Sequence, residues 1–105
     1  MMVKQAKLIN ERDNVIIALS EITAGEDVYL RCKGKETKYR CNQDIPFGHK
    51  IASADIKKGE GIIKYGEHIG SATQDIRRGD WIHTHNVKDD YKVIGEDGKP
   101  LPGQE

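Results

Sequence analysis

The sequence is poor in cysteine, and its two cysteines do not form a recognised motif. Cys32 and Cys41 lie nine positions apart, which is neither the spacing of a CxxC redox pair nor part of a four-cysteine zinc site. We interpret them as ordinary thiols in a reducing compartment. A disulfide between them would require Cα atoms within about 7 Å of each other, and the sequence leaves that question open.

The chain also lacks an excess of charge of either sign and any long apolar segment. Its 17 basic and 17 acidic residues cancel, and neither sign collects in a block, which argues against a nucleic-acid partner. No segment reaches the length that crosses a bilayer, and no apolar run follows the first residues as it would in a secretory leader. We therefore expect a cytoplasmic protein without a nucleic-acid or membrane partner.

The motifs of self-sufficient enzymes are missing as well. The sequence contains no GxSxG, no P-loop, no dinucleotide-binding glycine fingerprint and no HExxH. A chain of 105 residues forms one domain with a modest core, and it has little room for a deep pocket of its own. An enzymatic role would therefore make this chain one wall of a shared active site.

One short pattern occurs three times and is the most informative feature of the chain. Each copy runs alanine, two variable residues, an acid, isoleucine, two variable residues, glycine and an acid, and the copies are Ala18–Glu26, Ala52–Glu60 and Ala72–Asp80. We interpret the unit as a short helical turn that glycine ends in the left-handed conformation, with isoleucine in the core. The β-branched and aromatic residues after each glycine predict that the chain leaves as a strand.

Short strands joined by glycine-bearing turns predict a mostly β domain. Asn14–Leu19 is a further apolar run of strand length, whereas the polar, basic segment 31–43 is expected to be an exposed hairpin or loop. No interval in the second half is long enough for an amphipathic helix. From residue 88 the chain is polar and rich in glycine and proline. We therefore place one domain at residues 1–87 and an extension that orders only against a partner at 88–105.

The segment Trp81–Asn86 gives the clearest chemical signal. Interpreted as a strand, it places Trp81, His83 and His85 on one face, with the origins of the two imidazoles about 7 Å apart. Both rings could then converge on one metal ion or one anion, and imidazole suits iron and zinc. The alternative is that one histidine is packed and the other solvated.

Other histidines and lysines are weaker candidates. His49 follows a tight turn at a predicted strand start, where loops commonly present functional side chains. Lys50 and Lys64 could neutralise a substrate carboxylate, although a lysine on a charged surface is usually solvated. His68 lies in a predicted turn without suitable neighbours, and we expect it at the surface.

Three segments resemble a known family, namely Asp44–Ala52, Ile63–Ile76 and Gly79–Val87. They resemble the N-terminal SAF domain of the altronate and galactarate dehydratases and the small subunit of the related sulfolactate sulfo-lyase. Asp13–Leu19 also fits, so the resemblance covers roughly residues 8–87. The basic segment 31–43 matches no motif of the family.

The resemblance implies a compact SAF-type β-clip and a carbon–oxygen lyase that removes water from a sugar acid, or a lyase that removes sulfite from sulfolactate. It also implies a divalent metal, with Fe2+ the expected ion, and a separate large dehydratase subunit that completes the active site. On this view the chain alone is inactive. A non-catalytic SAF ligand-binding module and a homo-oligomeric protein that binds a small sugar acid are the alternatives.

Carried over residue by residue, the resemblance places six positions at the reaction centre. His49, His83 and His85 are the expected catalytic residues, and His83 and His85 are also the expected metal ligands. The expected substrate-binding residues are Lys50, Lys64 and Asn86.

Overall fold

The computed structural model describes residues 3–89 of the chain, and this part is built from short strands and turns. Its strands in chain order are β1 (Gln5–Lys7), β2 (Val15–Ala18), β3 (Asp27–Cys32), β4 (Lys35–Arg40), β5 (Lys50–Ala52), β6 (Gly61–Lys64), β7 (Glu67–Ala72), β8 (Trp81–Ile82) and β9 (Val87–Lys88). No helix forms between residues 3 and 89, so this part holds none that is long and apolar enough to cross a membrane. The prediction of a mostly β domain is confirmed.

The strands form two sheets. One has six strands in the order β4-β3-β1-β2-β5-β8, and the other has three in the order β6-β7-β9. Neighbouring strands are antiparallel except β1 and β3, which run parallel. The register of β5 and β8 pairs Lys50 with Ile82. Because His49 precedes β5 and His83 follows β8, this pairing brings the two histidines to the same end of the sheet.

The nine-residue pattern occurs four times rather than three. The additional copy is Cys41–His49, in which cysteine replaces the first alanine and histidine replaces the last acid. We call Ala18–Glu26, Cys41–His49, Ala52–Glu60 and Ala72–Asp80 turn units 1 to 4. The spacing of the acid, isoleucine and glycine is the same in all four.

The turn units interlock as a first pair, units 1 and 2, and a second pair, units 3 and 4. Within each pair the two isoleucines exchange both backbone hydrogen bonds, and each glycine N–H donates to the carbonyl oxygen of the other unit's first residue. The exchanging isoleucines are Ile22 with Ile45 and Ile56 with Ile76, and the donors are Gly25, Gly48, Gly59 and Gly79. The two halves of the domain are therefore built on one backbone plan.

Each unit changes direction through a four-residue β-turn, and the predicted helical turn is wrong. In unit 3 the Glu60 N–H donates to the Lys57 carbonyl at 2.9 Å, and Gly59 has a φ of +89°. A glycine with positive φ at the third position of such a turn is typical of type II. The β-turn prevails because each isoleucine lies extended opposite its counterpart, and a helical turn would break that exchange of hydrogen bonds.

The interlocked isoleucines belong to two hydrophobic clusters. Ile22 and Ile45 lie in the first cluster, and Ile56 and Ile76 in the second. All four are at most 3% exposed, and burying such a side chain contributes about 1.5–3 kcal/mol. Ile51 of β5 belongs to the first cluster, and Ile82 of β8 belongs to the second. The junction of these two strands therefore lies between the clusters.

Two polar side chains join the smaller sheet to the larger one. The Asn14 amide donates to and accepts from the backbone of β6, both at 2.8 Å. The Asp13 carboxylate accepts from the N–H groups of Tyr65 and Gly66 at 3.1 and 2.8 Å, which holds Tyr65 at a φ of +58°. These bonds fix the end of β6, where Lys64 lies.

The remaining sequence predictions have mixed outcomes. Most of segment 31–43 is an exposed hairpin as predicted, but Tyr39 and Cys41 lie in the first hydrophobic cluster. The expected surface position of His68 is wrong, since it lies in β7 with 7% of its surface exposed. Its ring covers Gly61, where a Cβ would come within 2.6 Å of the imidazole. The extension predicted at 88–105 begins with Lys88 of β9, and residues 90–105 lie outside the described residues.

Candidate functional site

The segment Trp81–Asn86 is not one strand, contrary to the prediction. β8 ends at Ile82, and the next four residues form a turn closed by the Asn86 N–H, which donates to the His83 carbonyl at 3.2 Å. The Asn86 side chain reinforces the turn, because Oδ1 accepts from the His83 N–H at 3.0 Å and Nδ2 donates to the Trp81 carbonyl at 2.8 Å. These side-chain bonds to the backbone override the strand preference of the segment.

Trp81 lies at the centre of a group of rings. His83 stacks on the indole with ring centroids 5.1 Å apart and planes 9° apart, and His85 contacts it at 5.1 Å with planes tilted by 38°. The indole Nε1–H donates to His49 Nδ1 at 3.1 Å, and the His49 and His83 rings lie 5.0 Å apart. The structure thus brings the three predicted histidines together through a turn around Trp81. We call these four residues the ring cluster.

His49 joins the ring cluster because turn unit 2 differs from the other units. In units 1, 3 and 4 the last acid accepts from the N–H three positions earlier, at 2.6, 2.8 and 2.9 Å. In unit 2 the earlier residue is Pro46, which has no N–H to donate, and the acid is replaced by His49. The side chain at position 49 therefore has no N–H to cap and is available for another role.

Beside the ring cluster lies a cavity of about 320 Å³, which we call the Lys50 cavity. Its apolar wall consists of Ile69, Ile82 and Val87, and its polar groups come from Lys50, His83, Thr84 and Asp89. An apolar wall with a few converging polar groups is the usual composition of a small-ligand site, and the volume is at the lower end of the range for such sites. Two predicted site residues, Lys50 and His83, therefore line one volume.

The surroundings of Lys50 favour its charged form less than water does. Burial, followed by repulsion from the nearby Lys64 ammonium, lowers the pKa of Lys50 below its ordinary value. Lys64 itself lies over the Tyr65 ring, with Nζ 5.1 Å from the ring centroid. A carboxylate bound beside Lys50 would counteract both effects, so this pair of lysines suits an anionic ligand.

Asn86 occupies a buried place in the turn. Only 3% of its surface is exposed, and both the oxygen and the nitrogen of its side-chain amide are hydrogen-bonded to the backbone of the turn. The predicted contact between Asn86 and a substrate stays a prediction. The geometry favours a positioning role, in which Asn86 holds His83 at the edge of the Lys50 cavity.

The predicted metal site is incomplete within the described part of the chain. His83 and His85 both contact Trp81, but among residues 3–89 no three His, Cys, Asp or Glu side chains are grouped so that they could hold a metal ion. Catalytic divalent metals such as zinc usually have three protein ligands. The residues between 3 and 89 therefore do not fit a complete metal site, and the predicted Fe2+ would need ligands from outside this part of the chain.

Sequence reasoning does not identify Trp81, Thr84 or Asp89 as site residues. The available signal for Trp81 is that it is the single tryptophan of the chain and lies between a turn unit and two histidines. Thr84 and Asp89 carry no comparable signal, because their place at the cavity depends on the turn that Asn86 closes.

Comparison with known proteins gives a consistent family. The sequence profile described as the altronate/galactarate dehydratase SAF domain matches residues 4–90. Altronate dehydratase of Bacillus subtilis is 45% identical over 86 residues, which cover 82% of this chain and 16% of that protein. Altronate dehydratase of Escherichia coli is 35% identical over 101 residues, which cover 91% of this chain and 20% of that protein.

A shorter relative differs in how much of it is covered. The (2R)-sulfolactate sulfo-lyase subunit alpha of Chromohalobacter salexigens is 29% identical over 85 residues, which cover 77% of this chain and 90% of that protein. The chain thus spans a fifth or less of the two altronate dehydratases and most of this subunit.

Proposed function

The chain belongs to the altronate/galactarate dehydratase SAF domain family, and on this basis we propose that it is the small subunit of a sugar-acid dehydratase. In this proposal a separate large chain completes the active site, and the small chain alone does not turn over substrate. The observation that carries the proposal is that Lys50 and His83 line one cavity of about 320 Å³. Both residues lie within the range 4–90 that the family profile matches.

The proposed reaction removes water from a hydroxy acid. A base takes the proton from the carbon next to the carboxylate, the electron pair forms a C=C bond, and the C–O bond on the next carbon breaks. The departing hydroxide accepts a proton and leaves as water. We assign proton transfer to His83 at the cavity, with His85 as the second candidate, and we assign the substrate's carboxylate to Lys50.

The assignment of Lys50 rests on charge and position. Its ammonium is half-buried beside an apolar wall, and both burial and Lys64 lower its pKa. Binding of a carboxylate would therefore raise the pKa of Lys50 again. Lys64 strengthens the positive potential at the same place, which is the role that the sequence predicts for both lysines.

A second candidate function is the small subunit of a sulfolactate sulfo-lyase. The observation that favours it is coverage, since this chain covers 90% of a sulfo-lyase subunit alpha but 16% and 20% of the altronate dehydratases. Identity points the other way, at 29% against 45% and 35%. The two reactions share removal of the proton next to the carboxylate and differ in whether hydroxide or sulfite leaves.

The test is to recover the tagged full chain from its native cells with whatever binds it, and to identify the bound chains by mass spectrometry. The complex is then assayed with altronate, galactarate and sulfolactate in the presence of Fe2+. Turnover of a sugar acid by a complex with a larger chain supports the proposal. Turnover of sulfolactate alone selects the second candidate, and a lone chain or homo-oligomer without turnover would overturn both in favour of a ligand-binding module.

Matched lysine variants test the site within the complex. Lys50→Ala is expected to raise the KM for the acid about 10-fold or more, because a charge-assisted bond to the carboxylate is lost. Lys58→Ala, at an exposed position of turn unit 3, is the control and should leave KM unchanged. Equal kinetics for the two variants would contradict the assignment of Lys50, and unchanged turnover in His83→Ala would contradict that of His83.

A further inference from the structure

The hydrogen bond between Trp81 and His49 determines which nitrogen of His49 carries the proton. An indole N–H can donate but cannot accept, and Trp81 Nε1 lies 3.1 Å from His49 Nδ1. Nδ1 must therefore be the acceptor. The neutral imidazole then carries its single proton on Nε2, because one ring nitrogen is protonated when the other accepts.

Trp81 can impose this tautomer because its own position is fixed by several contacts. The backbone N–H of Trp81 donates to Gln43 Oε1 at 2.8 Å, and its backbone carbonyl accepts from Asn86 Nδ2 at 2.8 Å. The half-buried indole packs against the first hydrophobic cluster and stacks on His83. The indole therefore cannot turn its N–H away from His49 without losing its packing against the first hydrophobic cluster or its stack on His83.

His49 is a direct neighbour of two residues of the candidate site. His49 is half-exposed, it directly precedes Lys50, and its ring contacts His83. Both of those residues line the Lys50 cavity. Nε2 in this tautomer has no lone pair for a metal ion or a proton, so the group that it offers to a ligand is an N–H donor.

We propose that Trp81 is a positioning residue that holds His49 in the Nε2–H tautomer, so that His49 donates a hydrogen bond to the carboxylate of the substrate. The carboxylate part of this inference rests on the proposed function, whereas the tautomer part concerns the chain alone. Pro46 is what makes the arrangement possible, because it leaves position 49 without an N–H to cap.

The tautomer is tested by long-range 1H–15N correlation spectra of the full 105-residue chain, recorded on the alkaline limb of a pH titration. We expect the spectra to show His49 with a protonated Nε2 and an unprotonated Nδ1. Trp81→Phe keeps a ring to stack on His83 but removes the indole donor, so the His49 pattern should move towards that of a free imidazole. Circular dichroism and urea unfolding establish that this variant is folded.

His85→Ala is the matched control, since His85 contacts Trp81 without touching its hydrogen bond to His49. This variant should leave the His49 spectrum as it is in the original chain. A protonated Nδ1 in the original chain would overturn the inference. An unchanged His49 pattern in folded Trp81→Phe would do the same.

The role as a donor is tested in the assembled complex by two substitutions of one residue. His49→Ala should raise the KM for the acid about 10-fold or more, with a smaller change in kcat. His49→Gln places an amide N–H near the position of Nε2 but cannot relay a proton, and it should recover part of the loss. Equal loss of kcat in both variants would show proton transfer instead and overturn the donor role.

The tautomer of His49 and its contact with the substrate's carboxylate can be overturned independently of each other. A wild-type complex that turns over none of the three acids would overturn the proposed function and, with it, the carboxylate contact of His49. The spectra of the isolated chain would still decide whether Trp81 sets the tautomer.

Discussion

The first and second pairs of turn units share their backbone hydrogen bonds but not their side-chain caps. In the second pair Asp55 and Asp75 accept from the N–H groups of Arg78 and Lys58, both at 2.9 Å, and both last acids cap their own turns. In the first pair only the turn of unit 1 is capped in this way. Asp44 accepts from the Ala24 N–H at 2.8 Å, and the last acid of unit 1 caps its own turn. The uncapped side within the described residues is the turn Pro46–His49.

This difference locates the candidate site. In the second pair all four carboxylates accept hydrogen bonds from backbone N–H groups. The first pair gives up the capping bond at one turn, and the side chain released there, His49, lies against Trp81 and His83. The same turn also exposes Phe47, with 69% of its surface accessible. A repeated unit has thus kept its backbone plan while one copy presents a different side chain.

The largest expected effect distinguishes two glycines of the second pair. Gly79 and Gly59 have φ values of +91° and +89°, but a Cβ at Gly79 would collide with the Arg40 carbonyl oxygen, whereas a Cβ at Gly59 meets nothing within 4 Å. We expect Gly59→Ala to lower the free energy of unfolding by about 1–2 kcal/mol from the backbone conformation alone. Gly79→Ala should cost about 3 kcal/mol or more. Urea unfolding of both variants measures the difference, and equal losses would contradict the close approach of unit 4 to β4.

A smaller effect is expected at the last acids of the second pair. Asp80 accepts from Arg77 N–H at 2.9 Å and from the side-chain amides of Asn42 and Gln43 at 2.7 and 3.4 Å, so it connects the two pairs. Glu60 accepts only the cap bond from Lys57 N–H, at 2.8 Å, among the described residues. Asp80→Ala should lower the free energy of unfolding by about 2 kcal/mol and Glu60→Ala by about 1 kcal/mol. The reverse order in urea unfolding would show that Asp80 does not connect the pairs.

The third prediction restores the missing cap. His49→Glu alone should not gain stability, because Pro46 offers no N–H to the new carboxylate. In Pro46→Lys with His49→Glu, the pair of residue types found in unit 3, the cap can form. A double-mutant cycle should then show a favourable coupling of about 0.5–2 kcal/mol between positions 46 and 49.

The cycle cancels the separate effects of losing proline and losing the histidine ring. A coupling near zero would mean that the first pair departs from the second in more than its side chains. The same double variant should raise the KM for the acid in the assembled complex more than His49→Ala does, because the new carboxylate repels that of the substrate.

The sequence predicts more of the fold than of the site, for physical reasons that individual residues show. β-branched runs such as Val15–Ala18 become strands because their local preference agrees with their pairing. Turn unit 2 is hidden because Cys41 and His49 replace two of the positions that mark the pattern. The turn after β8 depends on the Asn86 amide, whose bonds to the backbone compete with a strand that local preference favours.

The Lys50 cavity could not be predicted at all, since it requires the pairing of β5 with β8 across about 30 residues of chain. The family resemblance adds His49 to the site, whereas His83 and His85 are predicted to lie together for a reason that is wrong, alignment along one strand. They meet instead because a turn folds back on Trp81.

The smallest effect is expected at Cys41, the first residue of unit 2. Alanine occupies this position in the other three units, so Cys41→Ala should fit the backbone plan and lower the free energy of unfolding by less than about 1 kcal/mol. Burial, and then the carboxylates of Asp27 and Glu26, raise the pKa of the Cys41 thiol from 9.0 to about 11. Its raised pKa stabilises the folded chain below pH 9, and this contribution is lost as the pH rises towards 11.

The deficit of Cys41→Ala should therefore shrink between pH 8 and pH 10.5, which urea unfolding at the two pH values measures. A deficit above about 2 kcal/mol at pH 8 would mean that the sulfur fills space that alanine leaves empty in the other units. Unit 2 would then differ from its counterparts at both ends of the pattern, and the departure at His49 would belong to a wider remodelling of the first pair. A small deficit that shrinks with pH would confine the difference between the pairs to the turn that carries His49.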